Sequence, residues 1–340
     1  MNQHQLAETA QALVAPGRGI LAADESSSTI AKRFAAIGVE STAESRRDYR
    51  ELLFRATNAM QKYVSGVILY DETIRQKAID GTPLVTLIEK AGSIPGIKVD
   101  LGAKPLPGFS GETITEGLDG LAGRLKDYYE LGARFAKWRA VIDIADGIPT
   151  RSAILANAEA LARYAALCQQ ANIVPIVEPE VLMDGNHSLE RCYEVSEATL
   201  RAVFTALYDL RVFLEGIILK PNMVVPGLKS GHPAHPEEVA AATVRLFKNA
   251  VPVAVPGIAF LSGGQSDFDA TANLDAIARA APPWPVTFSY GRALQAAPQK
   301  AWSGKAANVA AAQAAFTHRA RMNSLAALGQ WSETLEKAAA

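Results

Sequence analysis

Sulfur and histidine are scarce in this chain, and the little there is carries no metal pattern. Two cysteines, Cys168 and Cys192, have neither metal-ligand spacing nor a disulfide framework, as expected of a reduced compartment. Of the five histidines, His187 lies in the turn DGNHS, and His232 and His235 lie in the loop GHPAHPEE. No carboxylate–histidine arrangement completes a catalytic zinc site, so chemistry without a metal or other cofactor is expected. A charge of one sign is missing too. Lys plus Arg number 34 against 35 Asp plus Glu, a net −1 in 340 residues, so the whole-chain charge gives no case for nucleic acid or membrane surfaces. The longest uncharged stretch, Asn249 to Ser266, holds Pro252, Pro256 and three glycines and makes a poor membrane span. The N-terminus, MNQHQLAETAQALVAPG, has Glu8 and no basic region before an apolar run, so it does not read as a secretory signal. These absences together predict a soluble, cytoplasmic protein.

What is present is a repeated pattern: a short apolar run that ends on polar residues, followed in most cases by a segment of helical period. The runs are Gly19–Ala23 ending on Asp24, Val64–Leu69 on Tyr70 and Asp71, and Ile94–Val99 enclosing Lys98 and ending on Asp100. Phe135–Ile144 carries Lys137, Trp138 and Arg139, and Val174–Val181 carries Glu178 and Glu180. Leu214–Leu219 ends on Lys220, Gly257–Leu261 on SGG, and Pro285–Phe288 on Ser289, Tyr290, Gly291 and Arg292. Helical period appears over Arg46–Met60, Leu118–Leu131, Ala153–Gln169, Leu189–Leu210 and Pro236–Phe247. Strands alternating with helices imply a parallel sheet. Eight units without a Gly-rich dinucleotide fingerprint predict an α/β fold of the closed (β/α)8 barrel type, as one domain over 1–340. Beyond Trp302 the chain is Ala-rich and helical, and about 331–340, WSETLEKAAA, reads as a mobile tail.

In such a barrel, catalytic groups belong at the C-terminal ends of the strands, where the polar residues of these runs fall. Lys220 ends an Ile-rich run and precedes a proline. Alone, such a lysine snorkels to water. In an apolar mouth, a neutral amine is instead a nucleophile for carbonyl carbon. Lys137 and Arg139 leave one face of a strand, as do Glu178 and Glu180. Paired cations near Lys220 would lower its pKa while a carboxylate moves protons. Ser262 and Gly263 follow the seventh run and Gly291 and Arg292 the eighth, the two loops that often form a phosphate site in barrels. Lys98 and the Ser26–Ser28 cluster suit a second phosphate across the mouth.

Taken in order, LAADES, IKVD, FAKWR, VPIVEPE, LKPNMV, FLSGGQS and FSYGRALQ closely resemble the class I fructose-1,6-bisphosphate aldolases, metal-independent Schiff-base enzymes of glycolysis, over about residues 5–330. The resemblance implies that Lys220 forms the Schiff base, Asp24 handles the C4 hydroxyl proton and Glu178 is the acid/base for imine formation. Lys137 would stabilise charge and Glu180 support the lysines. Ser262, Gly263, Gly291 and Arg292 would hold the C1 phosphate, and Ser289 would be a further substrate-binding residue. Lys98, Arg139 and Ser26 would serve the C6 phosphate. A sugar bisphosphate substrate and a homotetramer are implied as well. The chain departs from animal members in having no tyrosine after Tyr290, where those end in one, and in carrying Asp143 where many relatives have lysine.

Overall fold

The computed structural model describes residues 1–337. Eight parallel strands close into a barrel: β1 (Gly19–Ala23), β2 (Val64–Leu69), β3 (Ile94–Lys98), β4 (Phe135–Ile142), β5 (Val174–Val181), β6 (Ile218–Leu219), β7 (Ile258–Phe260) and β8 (Val286–Tyr290). Each strand pairs with its neighbours in the sequence, and β1 closes the ring on β8 with Ile20 opposite Ser289. The expected (β/α)8 architecture is therefore present.

Strand alternation explains where the polar groups sit. Along β5 the buried positions Val174 and Ile176 join Ile20, Ile68, Phe135 and Ile218 in an apolar cluster inside the barrel. Two and four residues further on, the same face carries Glu178 and Glu180. The barrel interior is thus apolar at its N-terminal end and charged at its C-terminal end. Helix Gln3–Leu13 caps the apolar end, placing Leu6, Ala10 and Leu13 against that cluster. Phe135 fills the interior so closely that a Cβ on Gly96 would lie 2.3 Å from its ring, so any side chain here would have to displace that ring.

Boundaries differ from expectation where an apolar run does not encode one conformation. Of the run Leu214–Leu219, Leu214–Gly216 is a single 3-10 turn and only Ile218–Leu219 is strand. Buried Gln169 explains the turn: its side-chain amide donates to Phe213 O at 2.7 Å and accepts from Phe213 N at 2.9 Å. Past Leu219, Pro221 has no N–H to continue the ladder. The helical stretch Arg46–Met60 is two helices, Ala43–Phe54 and Thr57–Tyr63. A small antiparallel pair, Ala103–Pro105 with Thr113–Thr115, was not anticipated; its three-residue strands are too short for periodicity to reveal.

The segment expected as a tail from about 331 contacts the body of the protein as far as Glu336. Trp331 packs edge-on to Phe268 at 5.2 Å and donates Nε1–H to Glu336 at 2.9 Å. Glu336 also receives the guanidinium of buried Arg319 and His318 Nε2 at 3.1 Å, so it supplies the counter-ion this arginine requires. Residues 338–340 of the expected tail lie outside the described residues.

Candidate active site

A cavity of about 600 Å³ opens at the C-terminal end of the barrel. All thirteen residues expected from the sequence line it: Asp24, Ser26, Lys98, Lys137, Arg139, Glu178, Glu180, Lys220, Ser262, Gly263, Ser289, Gly291 and Arg292. None of the histidines does. Among the described residues, no group of three or more His, Cys, Asp and Glu is arranged to hold a metal ion.

Four side chains from four strands form its floor. Lys137 Nζ lies 2.7 Å from Asp24 Oδ2 and 3.4 Å from Glu178 Oε2, and Lys220 Nζ lies 3.2 Å from Glu178 Oε1. Lys137, Glu178 and Lys220 are 3–4% exposed, so two lysines and two carboxylates are held together almost without water. Burial acts to raise the Asp24 carboxyl, but the ammonium groups of Lys137 and Lys220 overcome it and hold it at about 2. Glu178 is lowered in the same contest: burial raises it, and Lys137, Lys220 and Arg139 outweigh the burial. Burial would lower Lys137, yet Asp24 and Glu178 raise it, so it remains a cation. Both carboxylates are therefore proton acceptors at neutral pH.

The backbone around Lys220 is fixed by an unusual substitution. Lys220 N still donates to Val177 O at 2.8 Å, as a strand residue would. After Pro221 the ladder passes to a side chain: Asn222 Oδ1 accepts from Val181 N at 3.0 Å, while its Nδ2 donates to Ser196 Oγ at 3.2 Å and Met223 O at 3.0 Å. Buried Asn222 thus ties the loop after Lys220 to the strand that bears Glu178 and Glu180.

Arg139 shares a strand face with Lys137 but takes a different carboxylate partner. Its guanidinium pairs with Glu180 and stands at the rim, with its side chain 43% exposed. Asp100 connects this side of the mouth, accepting Arg139 N at 3.2 Å and pairing with Lys98 Nζ at 3.0 Å. Across the ring, Gly263 adopts φ +56°, and Arg292 from the start of helix Arg292–Trp302 donates to Gly263 O. Ser289 Oγ is buried with no hydrogen-bond partner, leaving a donor for a polar ligand. The β3–β4 cations and the β7–β8 loops stand four strands apart in an eight-strand ring, on opposite sides of the mouth.

Sequence reasoning missed Glu25, Thr29, Lys32 and Arg33, which also line the cavity. Arg33 pairs with Glu25, whose Oε1 also accepts Gln295 Nε2 at 2.8 Å. A signal was available. Helix Ser27–Ala35 buries Ile30 and Phe34, and Ser26, Thr29, Lys32 and Arg33 recur at helical spacing on the other face.

The family model described as fructose-bisphosphate aldolase class-I matches residues 5–340. A probable fructose-bisphosphate aldolase class 1 of Xanthomonas campestris is 58% identical over 333 residues, covering 97% of this chain and 99% of that one. A cytosolic fructose-bisphosphate aldolase of Arabidopsis thaliana is 53% identical over 328 residues, covering 96% of this chain and 83% of its own. The solved structure of Plasmodium falciparum fructose-bisphosphate aldolase, a ternary crystal with TRAP and a small-molecule inhibitor, superposes with a TM-score of 0.95 at 50% identity. That match covers 97% of this chain and 96% of the other. A barrel with a buried lysine–carboxylate quartet at its mouth, so closely matched along its whole length, belongs to the class I fructose-bisphosphate aldolase family.

Proposed function

We propose that this protein cleaves fructose 1,6-bisphosphate reversibly to dihydroxyacetone phosphate and glyceraldehyde 3-phosphate through an imine on Lys220. The observation that carries the reading is the quartet: Lys220 Nζ is 3.2 Å from Glu178, and Lys137 bridges Glu178 and Asp24. Lys220 passes one proton to Glu178 and attacks C2 as the free amine; a second N–H proton moves to the C2 oxygen, and Glu178 returns its proton as water leaves the carbinolamine, giving the iminium. The iminium then accepts the electrons of the C3–C4 bond as Asp24 removes the C4 hydroxyl proton. Lys137 keeps both carboxylates ionised and stabilises charge between them, and Glu180 holds Arg139. The opposed cationic poles suit a ligand with a phosphate at each end: Ser262, Gly263, Ser289, Gly291 and Arg292 for the C1 phosphate, and Lys98, Arg139 and Ser26 for the C6 phosphate.

Borohydride added with dihydroxyacetone phosphate should inactivate the protein and place the reduced adduct on Lys220, read by peptide mass mapping. Labelling chiefly at another lysine would remove the assignment.

Two further parts of the reading concern context. No helix of the described residues is long and apolar enough to cross a membrane, and the Arabidopsis relative is named cytosolic; both support a cytoplasmic location. A homotetramer is supported by a groove of about 850 Å³ between helices Arg151–Gln170 and Leu189–Asp209. Leu155 and Leu210 are exposed there, and Arg151, Arg201, Glu159 and Asp209 rim it with charges of both signs, as a self-complementary contact needs. Sedimentation velocity should give a tetramer; a monomer at every concentration excludes the assembly.

A further inference from the structure

The one sulfur atom placed to sense oxidants lies beneath a loop assigned above to phosphate. The chain has five methionines and two cysteines. Met60, Met223, Met322, Cys168 and Cys192 are buried, and Met1 is exposed ahead of the helix that caps the opposite end of the barrel. Met183, in the loop after β5, is partly exposed and lines a surface cavity of about 430 Å³. Gly264 N donates to Met183 Sδ at 3.1 Å. A Cβ on Gly263 would come within 3.2 Å of the same sulfur, so both glycines rest on the thioether. The methionine cannot readily retreat, because its loop is pinned on both sides: Leu182 N donates to Ile142 O at 2.9 Å, and Leu228 N to Met183 O at 2.7 Å.

We propose that Met183 is a reversible oxidation site, at which a peroxide converts the thioether to the sulfoxide and the added oxygen displaces the Ser262–Gly264 loop, weakening phosphate binding. The sulfur lone pair attacks one peroxide oxygen and the O–O bond breaks as the S–O bond forms. Sulfur loses two electrons, and the departing oxygen leaves as water after proton transfer. A thioether is a weak acceptor, whereas the sulfoxide oxygen is a strong one. It takes the Gly264 N–H firmly and adds bulk where there is contact already. The effect falls on binding rather than on bond cleavage, because Met183 lines the neighbouring surface cavity and not the one that holds Lys220 and Glu178. Methionine sulfoxide reductase restores the thioether.

The inference rests on the assignment of the Ser262–Gly264 loop to a phosphate of the substrate. The test treats the full-length protein with hydrogen peroxide, maps the sulfoxide by mass, and measures steady-state cleavage of fructose 1,6-bisphosphate. KM should rise about tenfold, the loss of roughly one charge-assisted contact, with kcat little changed and reversal by the reductase. Met183→Leu, compared with itself before and after peroxide, should lose the response. Met183→Gln, which carries an amide oxygen near the same place, should show a raised KM without peroxide. Complete oxidation of Met183 with an unmoved KM overturns this proposal alone, as does an equal response in Met183→Leu. Failure of the untreated protein to trap substrate at Lys220 overturns the site reading, and this inference with it.

Discussion

Replacing Lys220 by methionine should lower kcat by at least about 10⁴-fold, the scale on which removal of a covalent nucleophile acts. Methionine fills a similar volume and has no amine, so the change removes the electron sink and little packing. Glu178 keeps a cation, since Lys137 remains 3.4 Å away, and the fold should survive. Circular dichroism should therefore match the parent while borohydride trapping disappears. Residual cleavage within a hundredfold of the parent would show that another group carries the imine.

Asp24→Asn should separate imine formation from bond cleavage. A general base of this kind contributes about 10²–10⁴ to the rate, so kcat should fall by that range while dihydroxyacetone phosphate is still trapped on Lys220. Loss of trapping in parallel with cleavage would place Asp24 in the earlier step. The same variant carries a pH signature. The Asp24 carboxyl falls from 3.8 to about 2 in the folded protein, because Lys137 and Lys220 outweigh burial. A carboxyl lowered on folding stabilises the fold above its unfolded pKa and loses that contribution as pH falls through the folded value. The parent should exceed Asp24→Asn by about 2 kcal/mol at neutral pH, and the gap should narrow between about pH 4 and 2. Urea denaturation across that range reads it directly, and a gap independent of pH would mean that the ion pair does not contribute in this way.

Most of the site was legible in the sequence because strand alternation and strand ends are local properties. Glu178 stands two residues beyond Ile176 on one face, and Lys220 stands where Pro221 ends a strand. Which cation meets which carboxylate was not legible. By backbone register Arg139 lies opposite Glu178 and Lys137 opposite Ile176, yet the ion pairs run diagonally, Arg139 to Glu180 and Lys137 to Glu178. Strand tilt in a closed barrel sets that offset, and tilt is a property of the ring rather than of any segment. Arg33 escaped notice for a related reason. Its helix brings it to the mouth only through packing of Ile30 and Phe34, and a charged helical face otherwise reads as solvated. The 3-10 turn Leu214–Gly216 depends on Gln169, which lies near the end of helix Arg151–Gln170, before β5 and far back along the chain.

The quartet of Asp24, Lys137, Glu178 and Lys220 also bears on how the chain reaches its native state. It pairs two lysines with two carboxylates, and its members stand on β4 and β5 and just past the ends of β1 and β6. Asp24 is held in place through β1, whose partners are β2 and the last strand, β8. An unclosed ring would therefore leave Lys137 facing a half-formed apolar interior without its 2.7 Å partner, an electrostatic penalty that closure relieves. These charges at the mouth thus act as a latch that favours the fully wound chain over partly wound intermediates, and regain of activity on refolding should report the joining of the first strand to the last.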